Sequence, residues 1–196
     1  QSLMDLDYYE DQEYDAEDFT QAGFSRGEYE DCVFSNCNFT DVTLAHCRFI
    51  NCTFNFCNLS NADFTDVALQ TVEFHTCKML GINFEKCDSL AFEVKMYDSQ
   101  LNHASFYKLN LTSSHFKDCK LEGVDFVEAD LSGITIAHCD LRDAIFEHTN
   151  LERADFSRSF GYTIDPDQNK VKGATFTMPE VLGLLHKHKI KINQES

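Results

Sequence analysis

Residues 119–156 read CKLEG VDFVE ADLSG ITIAH CDLRD AIFEH TNLER ADF, and one pattern recurs in them every five residues. Every fifth residue, from Leu121 to Phe156, is large and apolar. Neither an α-helix, with about 3.6 residues per turn, nor a strand, with a period of about two, places apolar side chains five apart. The stretch therefore predicts an internal repeat of five residues that directs one large side chain per repeat into a core.

The period of five extends over most of the chain in two runs of thirteen centres, and all centres are large and apolar. The residue two before each centre is mostly small or medium-sized, commonly Cys, Ala or Val, and the other three positions are mostly polar. Each unit therefore buries one large and one small side chain and exposes three. The centres are Phe24, Tyr29, Phe34, Phe39, Leu44, Phe49, Phe54, Leu59, Phe64, Leu69, Phe74, Met79 and Phe84, then Met96, Leu101, Phe106, Leu111, Phe116, Leu121, Phe126, Leu131, Ile136, Leu141, Phe146, Leu151 and Phe156.

Units such as CNFTD at 37–41 and ADLSG at 129–133 resemble the signature of the pentapeptide-repeat family. The resemblance implies an all-β solenoid, a right-handed quadrilateral β-helix in which four units form one square coil. Successive coils then stack as short parallel strands about 4.8 Å apart. Residues twenty apart would stack in columns, with Phe106, Phe126 and Phe146 in one of them. Such an interior is packed and leaves no ligand cavity.

The two runs are separated by twelve residues, from Phe84 to Met96, which is two units plus two residues. If two residues are inserted, Phe84 stacks on Phe106 and Phe74 stacks on Met96, so the columns stay apolar. We therefore predict one continuous β-helix with a small insertion at 85–95.

The insertion has two interpretations. It is either a tolerated bulge or a partner-contact loop, since loops on rigid scaffolds often carry function. Leu90 or Phe92 is expected to fill the lost centre near Ala91. The charged residues of the candidate contact loop are Glu85, Lys86, Asp88, Glu93 and Lys95.

Negative charge is concentrated at the N-terminal end. The chain has 33 acidic and 16 basic residues, a net charge of −17, and residues 1–31 hold eleven of the acids but only Arg26 as a base. This charge argues against direct nucleic-acid binding, which uses basic patches, and it suits a basic partner. We expect an acidic N-terminal segment at 1–18 and a β-helix at 19–176.

The nine cysteines all occupy the small inward position, where Cys acts as a small hydrophobe. We predict that they are reduced and bind no metal, and no CxxC, GxGxxG or P-loop motif occurs. His46, His103, His138 and His148 follow a centre by two residues and should face outward. These features predict no enzyme, cofactor or small-molecule substrate. The cysteines are Cys32, Cys37, Cys47, Cys52, Cys57, Cys77, Cys87, Cys119 and Cys139.

The repeat lapses in a predicted loop at 157–172 and returns at Phe176. The sequence TMPE at 177–180 has a capping-box pattern that predicts a short helix, and KIKI at 189–192 alternates like a strand. A solenoid needs a cap over its open strand edges, so residues 177–192 are predicted to form a cap and a homodimer interface. The predicted interface residues are Val181, Leu182, Leu184, Leu185, Ile190 and Ile192.

A terminal helical module of this kind resembles the topoisomerase-interacting members of the family, the Qnr-type and mycobacterial fluoroquinolone-resistance proteins. The resemblance implies a cytoplasmic, acidic, homodimeric rod that mimics DNA and binds DNA gyrase or topoisomerase IV. The alternative is a general interaction scaffold for another protein. No membrane contact is expected, because no apolar run approaches the roughly 20 residues of a membrane span.

Overall fold

The computed structural model describes residues 6–195. Its strands are β1 (Asp7–Glu10), β2 (Glu13–Asp15), β3 (Gly27–Glu30), β4 (Val33–Ser35), β5 (Arg48–Ile50), β6 (Thr53–Asn55), β7 (Ala68–Gln70), β8 (Val72–His75), β9 (Val94–Tyr97), β10 (His115–Lys117) and β11 (Ile136–Ala137). A short helix α1 spans Phe19–Ala22, and 3₁₀ helices span Phe84–Lys86 and Glu180–His188. No helix among the described residues has the length and apolar content to cross a bilayer.

The strands form two parallel sheets on adjoining sides of a square coil. One sheet has the order β1-β3-β5-β7, and the other has the order β2-β4-β6-β8-β9-β10-β11. Paired residues are twenty apart, as in Val33↔Thr53, and single-residue bridges such as Asn38↔Asn58 join coils on the remaining sides. The molecule is the predicted right-handed quadrilateral β-helix.

In most units the side chain just before the centre influences whether the unit becomes a strand or a turn. Where that residue is Asn or Asp, its Oδ1 usually accepts a hydrogen bond from the backbone N–H two residues on, as at Asn58, Asp130 and Asp155. This Asx turn folds the backbone away from a strand. Val33 and Thr53 occupy the same position in strands β4 and β6, since β-branched residues favour extended backbone.

The core follows the predicted columns. Of the 26 predicted centres, 25 are buried, and Phe24 is half-buried at the N-terminal end. The rings of Phe34 and Phe54 stack with centroids 4.8 Å apart, and those of Phe54 and Phe74 stack at 5.0 Å. Offset stacking of this kind contributes energy beyond the burial of apolar area.

The insertion keeps the columns in register, as predicted. Glu73 pairs with Lys95, an offset of 22, while Phe84 stacks on Phe106 with centroids 4.8 Å apart. Phe92 fills the lost centre and is only 5% exposed, whereas Leu90 is 73% exposed. The two extra residues are therefore accommodated at the surface.

The β-helix begins earlier than the sequence boundary at residue 19 indicated. Strands β1 and β2 pair in register with β3 and β4, with Tyr9 opposite Tyr29 and Tyr14 opposite Phe34. Residues 7–18 thus belong to the first coil rather than to a separate acidic segment. Tyr9, Tyr14 and Phe19 continue the five-residue period before Phe24, so the boundary at residue 19 is too late. Residues 1–5 lie outside the described part of the chain.

Residues 157–172 form part of a coil rather than a loop. Phe160 and Lys170 keep their backbone bridges to residues twenty earlier, and Tyr162 and Ile164 are buried. The unit pattern disappears from the sequence because these large side chains lie off the regular five-residue register. Asn169 takes the small inward position, where its Nδ2 donates to a backbone carbonyl oxygen.

Two local predictions at the C-terminus are wrong. The capping box does not form: Thr177 donates its hydroxyl to the carbonyl oxygen of Ser157, and Glu180 accepts from the N–H of Gly161. Both side chains bind the last coil in place of the helix end. Residues 189–192 form no strand and are exposed.

Candidate interaction surfaces

The first candidate surface is the acidic end, which we define as the outward side chains of β1 and β3 and the corners that follow them. Glu10 lies opposite Glu30 across the strand pair, and Tyr8 lies opposite Glu28. The Tyr8 hydroxyl donates a hydrogen bond to Glu30, and this bond raises the pKa of Tyr8. The corners carry further carboxylates, Asp11 and Asp31, both in the left-handed region.

Charge changes sign along the rod. Residues 1–31 carry eleven acids and one base, for a net charge of −10. Residues 32–157 carry 18 acids and nine bases, for −9, and residues 158–196 carry four acids and six bases, for +2. The negative charge per residue is therefore several times greater at the first coil than along the middle. The carboxylates do not continue as one uniform row from end to end.

Halfway along the rod, the side chains of His75, Tyr97 and His115 form a ring ladder on the outer face of the seven-stranded sheet. The rings of His75 and Tyr97 stack with centroids 4.8 Å apart, and Tyr97 and His115 are 5.6 Å apart. Lys95 and Lys117 lie on β9 and β10 beside these rings. Partial burial, followed by the charges of Lys95 and Lys117, lowers the pKa of His115. Sequence analysis missed this patch, because His75 and Tyr97 align only at the offset of 22, and His115 lies diagonally across from Tyr97.

The structure does not bring the five residues of the candidate contact loop together. Glu85 and Lys86 belong to the short 3₁₀ helix, while Lys95 lies in β9, two sides further around the coil. Asp88 accepts a hydrogen bond from the N–H of Leu90, and Glu93 accepts one from the hydroxyl of Thr71. The exposed part of the insertion is residues 89–91, whereas Asp88 and Glu93 are half-buried.

The C-terminal helix is tied to the last coil. Lys187 lies 2.9 Å from a carboxylate oxygen of Asp165 and also pairs with Asp167. A side chain at Gly183 would meet the carbonyl oxygen of Tyr162 at 2.0 Å, so only glycine permits this close approach. Leu184 packs against the core. These contacts fix the helix as a lid over the coil.

The outer side of this helix forms the C-terminal groove, of about 420 Å³. Of the six predicted dimer residues, Leu182, Leu185, Ile190 and Ile192 line the groove. Leu185 is 39% exposed, Ile190 is 56% exposed and Ile192 is 45% exposed. Val181 is half-buried and does not line the groove. The groove remains an unpaired apolar surface in the single chain described here.

The cysteines occupy the predicted inward positions, and all nine are buried. The thiols other than that of Cys87 donate to backbone carbonyls. Cys57 Sγ lies 3.4 Å from the oxygen of Phe34, and hydroxyls of Thr149 and Ser159 make the equivalent contacts in later coils. Burial raises the pKa of Cys37 to about 11 and that of Cys52 to about 12. Thiols in this state are weak nucleophiles. Within residues 6–195, no group of three or more His, Cys, Asp or Glu could hold a metal ion.

Family comparison agrees with this architecture. The family described as pentapeptide repeat region matches residues 22–106, and pentapeptide repeats (8 copies) match residues 95–133 and 136–159. No curated protein sequence matches the chain significantly.

Solved structures share the fold at low sequence identity. Full-length QnrB1, a plasmid-mediated fluoroquinolone resistance protein, is 17% identical, with a TM-score of 0.54 over 94% of this chain and 100% of that chain. A trypsin-treated QnrB1 variant is also 17% identical and gives 0.56 over 95% and 100%. HetL from Nostoc sp. strain PCC 7120, a regulator of heterocyst differentiation, is 16% identical and gives 0.50 over 85% and 84%. At these identities the likeness concerns the fold.

Proposed function

We propose that this chain, which belongs to the pentapeptide-repeat family, is a non-enzymatic rod whose acidic end occupies a basic protein surface that otherwise holds DNA. The register of the carboxylates carries the proposal, with Glu10 opposite Glu30 one strand spacing away. The pairs of anions, Glu10 with Glu30 and Asp11 with Asp31, are about 4.8 Å apart and attract the Lys and Arg side chains that otherwise bind phosphates. A rigid β-helix holds these pairs in place before binding, which lowers the entropic cost of association.

DNA gyrase or topoisomerase IV is the first candidate partner, and altered quinolone sensitivity is the expected consequence. QnrB1 is described as a fluoroquinolone resistance protein, and its full chain aligns with this one. A cytoplasmic location fits this role, and nine buried thiols suit a reducing compartment.

A DNA supercoiling assay with gyrase, with and without a quinolone, tests the proposal. We expect the protein to change supercoiling or its inhibition by the drug, and we expect a variant with a neutral acidic end to lose most of the effect. That variant carries Glu10→Gln, Asp11→Asn, Glu30→Gln and Asp31→Asn.

A matched variant removes the same number of charges elsewhere along the rod. It should retain most of the effect if the acidic end is the contact, whereas equal loss in both variants would mean that only total charge matters. This control carries Asp41→Asn, Asp118→Asn, Asp143→Asn and Glu147→Gln. Asn is used at the corners because it tolerates the left-handed backbone.

The charge distribution favours a second candidate, a scaffold for a basic protein other than a topoisomerase. A long DNA mimic needs anions along its whole length, whereas residues 158–196 carry a net charge of +2. No change in supercoiling at any protein concentration, with a folded protein, would reject the topoisomerase role. Retained binding of the protein to other basic partners would then support the scaffold.

We also propose that two rods associate through the C-terminal groove. Burying the groove against its counterpart would remove Leu182, Leu185, Ile190 and Ile192 from water. Sedimentation should find a dimer, and Leu182→Glu with Leu185→Glu should give a folded monomer. Leu90→Glu, at the exposed tip of the insertion, is the matched control and should leave the dimer intact.

The exposed residues 89–91 of the insertion are a second proposed contact with the partner. Asp88→Asn keeps the turn that holds Leu90, while Leu90→Ala removes the exposed apolar side chain. We expect Leu90→Ala to weaken partner binding without changing the melting temperature. Unchanged binding would identify the insertion as a tolerated bulge.

A further inference from the structure

Strand β2 forms the N-terminal edge of the seven-stranded sheet. Among residues 6–195 it pairs only with β4, with Tyr14 opposite Phe34. Its opposite edge therefore presents backbone donors and acceptors to no described strand. Such an edge is a template for an added strand.

The aromatic layer beneath this edge is incompletely covered. The rings of Tyr14 and Phe34 stack with centroids 4.8 Å apart and an interplanar angle of 5°. Phe34 lies within the core and is fully buried, while Tyr14 is only partly buried. One face of the Tyr14 ring thus packs on the column, and among residues 6–195 no aromatic ring stacks on its other face.

The outward positions of the same strand are acidic. Glu13 and Asp15 flank Tyr14 and are both exposed, so β2 reads acid, aromatic, acid. In a parallel pair, three successive residues of an added strand lie directly opposite these three positions. The complementary triplet is therefore basic, apolar, basic.

We infer that the free edge of β2 binds an extended basic segment of a partner protein by strand addition, with a Lys-apolar-Lys triplet over Glu13, Tyr14 and Asp15. Backbone hydrogen bonds supply the strand pairing, the apolar residue covers the Tyr14 ring, and the lysines pair with the two carboxylates. The inference is independent of the proposed function, since it concerns the edge of β2 rather than the outward carboxylates of β1 and β3.

This chain itself contains such a triplet at Lys189–Lys191, but it cannot reach its own β2. Tyr14 and Phe176 are separated by eight coil spacings, about 38 Å at about 4.8 Å each. Residues 189–195 span at most about 25 Å when fully extended. Only the tail of a second copy could therefore compete with a foreign segment.

Fluorescence anisotropy with the labelled peptide Thr-Lys-Ile-Lys-Ile-Lys-Thr tests the inference on the full chain. We expect saturable binding that weakens at least about tenfold in the double variant Glu13→Lys and Asp15→Lys. The matched variant Glu73→Lys and Asp118→Lys, with charge reversed in β8 and at the corner after β10, should bind as the parent does. Unchanged melting curves confirm that each variant is folded.

Three further outcomes decide between strand addition and its competitors. A peptide with Pro in place of both Ile residues keeps all charges but cannot pair as a strand. Equal binding of that peptide would overturn the inference in favour of simple charge attraction, and loss of its binding would support strand addition. Self-association that grows with protein concentration and disappears when residues 189–195 are deleted would show that a second copy binds the edge. That result would overturn the inference of a foreign segment. Peptide binding that requires deletion of residues 1–5 would also overturn it, since the edge would not be accessible in the full chain.

Discussion

The two halves of the rod have the same interior but different backbones. Up to Tyr97 the coils carry strands β1 to β9, whereas after it only β10 and β11 occur among the described residues. The interior does not account for this, because both halves bury one large and one small residue per unit. The difference shows that the outward residues choose the backbone form within a fixed core.

The position just before the centre explains most of the change. In the first half it often holds β-forming or charged residues, as at Arg48 and Thr53, and the unit becomes a strand. In the second half it often holds Asn or Asp, as at Asp130 and Asn150, whose side chains form Asx turns. Lys78 and Lys120 also precede turns, so the rule covers most units rather than all of them.

The largest expected effect is loss of a column ring, which tests whether the interiors are equivalent. Phe54→Ala and Phe126→Ala should each cost about 3–5 kcal/mol, because a close-packed column cannot collapse into the gap. Phe126 stacks between Phe106 at 5.6 Å and Phe146 at 5.3 Å. Urea unfolding followed by circular dichroism measures both losses. Phe56→Ala, at a side chain that is 63% exposed, is the control.

A marked difference between the two losses in the free energy of unfolding would show that the two interiors are not equivalent. If Phe126→Ala unfolds like the parent protein, the stability of the second half does not depend on its aromatic column. If only Phe54→Ala is mild, the strands of the first half compensate for the missing ring.

A smaller effect is expected from removing one Asx turn. Asp155→Ala leaves the N–H of Ser157, 2.8 Å away from the carboxylate in the parent, without its acceptor and should cost about 1 kcal/mol in the free energy of unfolding. Glu73→Ala changes the same position in strand β8 and should be close to neutral. Equal losses would show that the Asx turn is not what distinguishes the halves.

The pH dependence sharpens the same test. Hydrogen bonds from Ser157 lower the pKa of Asp155 below its usual 3.8. A lowered pKa in the folded state stabilises the protein above the unfolded pKa, and this stabilisation is lost as the pH falls below about 4. Asp155→Asn keeps the turn acceptor but cannot titrate. The stability difference between the parent and Asp155→Asn should therefore shrink between pH 5 and the acid limit of folding, about pH 2–3.

A still smaller effect is expected from exchanging the small inward residues between halves. Cys57→Ser and Ser159→Cys should each change the free energy of unfolding by less than about 1 kcal/mol, since thiol and hydroxyl contact equivalent carbonyls. Cys57→Leu is the control and should cost about 1–3 kcal/mol by overpacking. Thermal unfolding of the three variants makes the measurement. A severe loss in Cys57→Ser would mean that the thiol has a role beyond filling space.

The smallest effect concerns the corners, which both halves share. Phe56 has φ 54° and Arg153 has φ 59°, in a region that Asn tolerates better. Phe56→Asn and Arg153→Asn should each stabilise the fold by about 0.5 kcal/mol, seen as a slightly higher melting temperature. Destabilisation by Phe56→Asn would show that the exposed ring makes a contact of its own.

The interior of this protein follows from its residue order alone. Neither a helix nor an isolated strand can bury apolar side chains that recur every five residues. Residue identity therefore predicted the centres, the small inward positions and the offset across the insertion. The inward cysteines followed from the same count. These features depend on the repeat alone, because each coil contacts mainly its two neighbours.

The ends and the outer surface depend on contacts between coils. Residues 7–18 became the first coil because β1 and β2 find partners twenty residues later. Thr177 and Glu180 bind the last coil rather than capping their own helix, and residues 189–192 stay unpaired by any described strand. The ring ladder of His75, Tyr97 and His115 exists only because stacking brings separate coils together. Local sequence cannot settle such cases, since a terminal or outward side chain takes whichever partner the neighbouring coil offers.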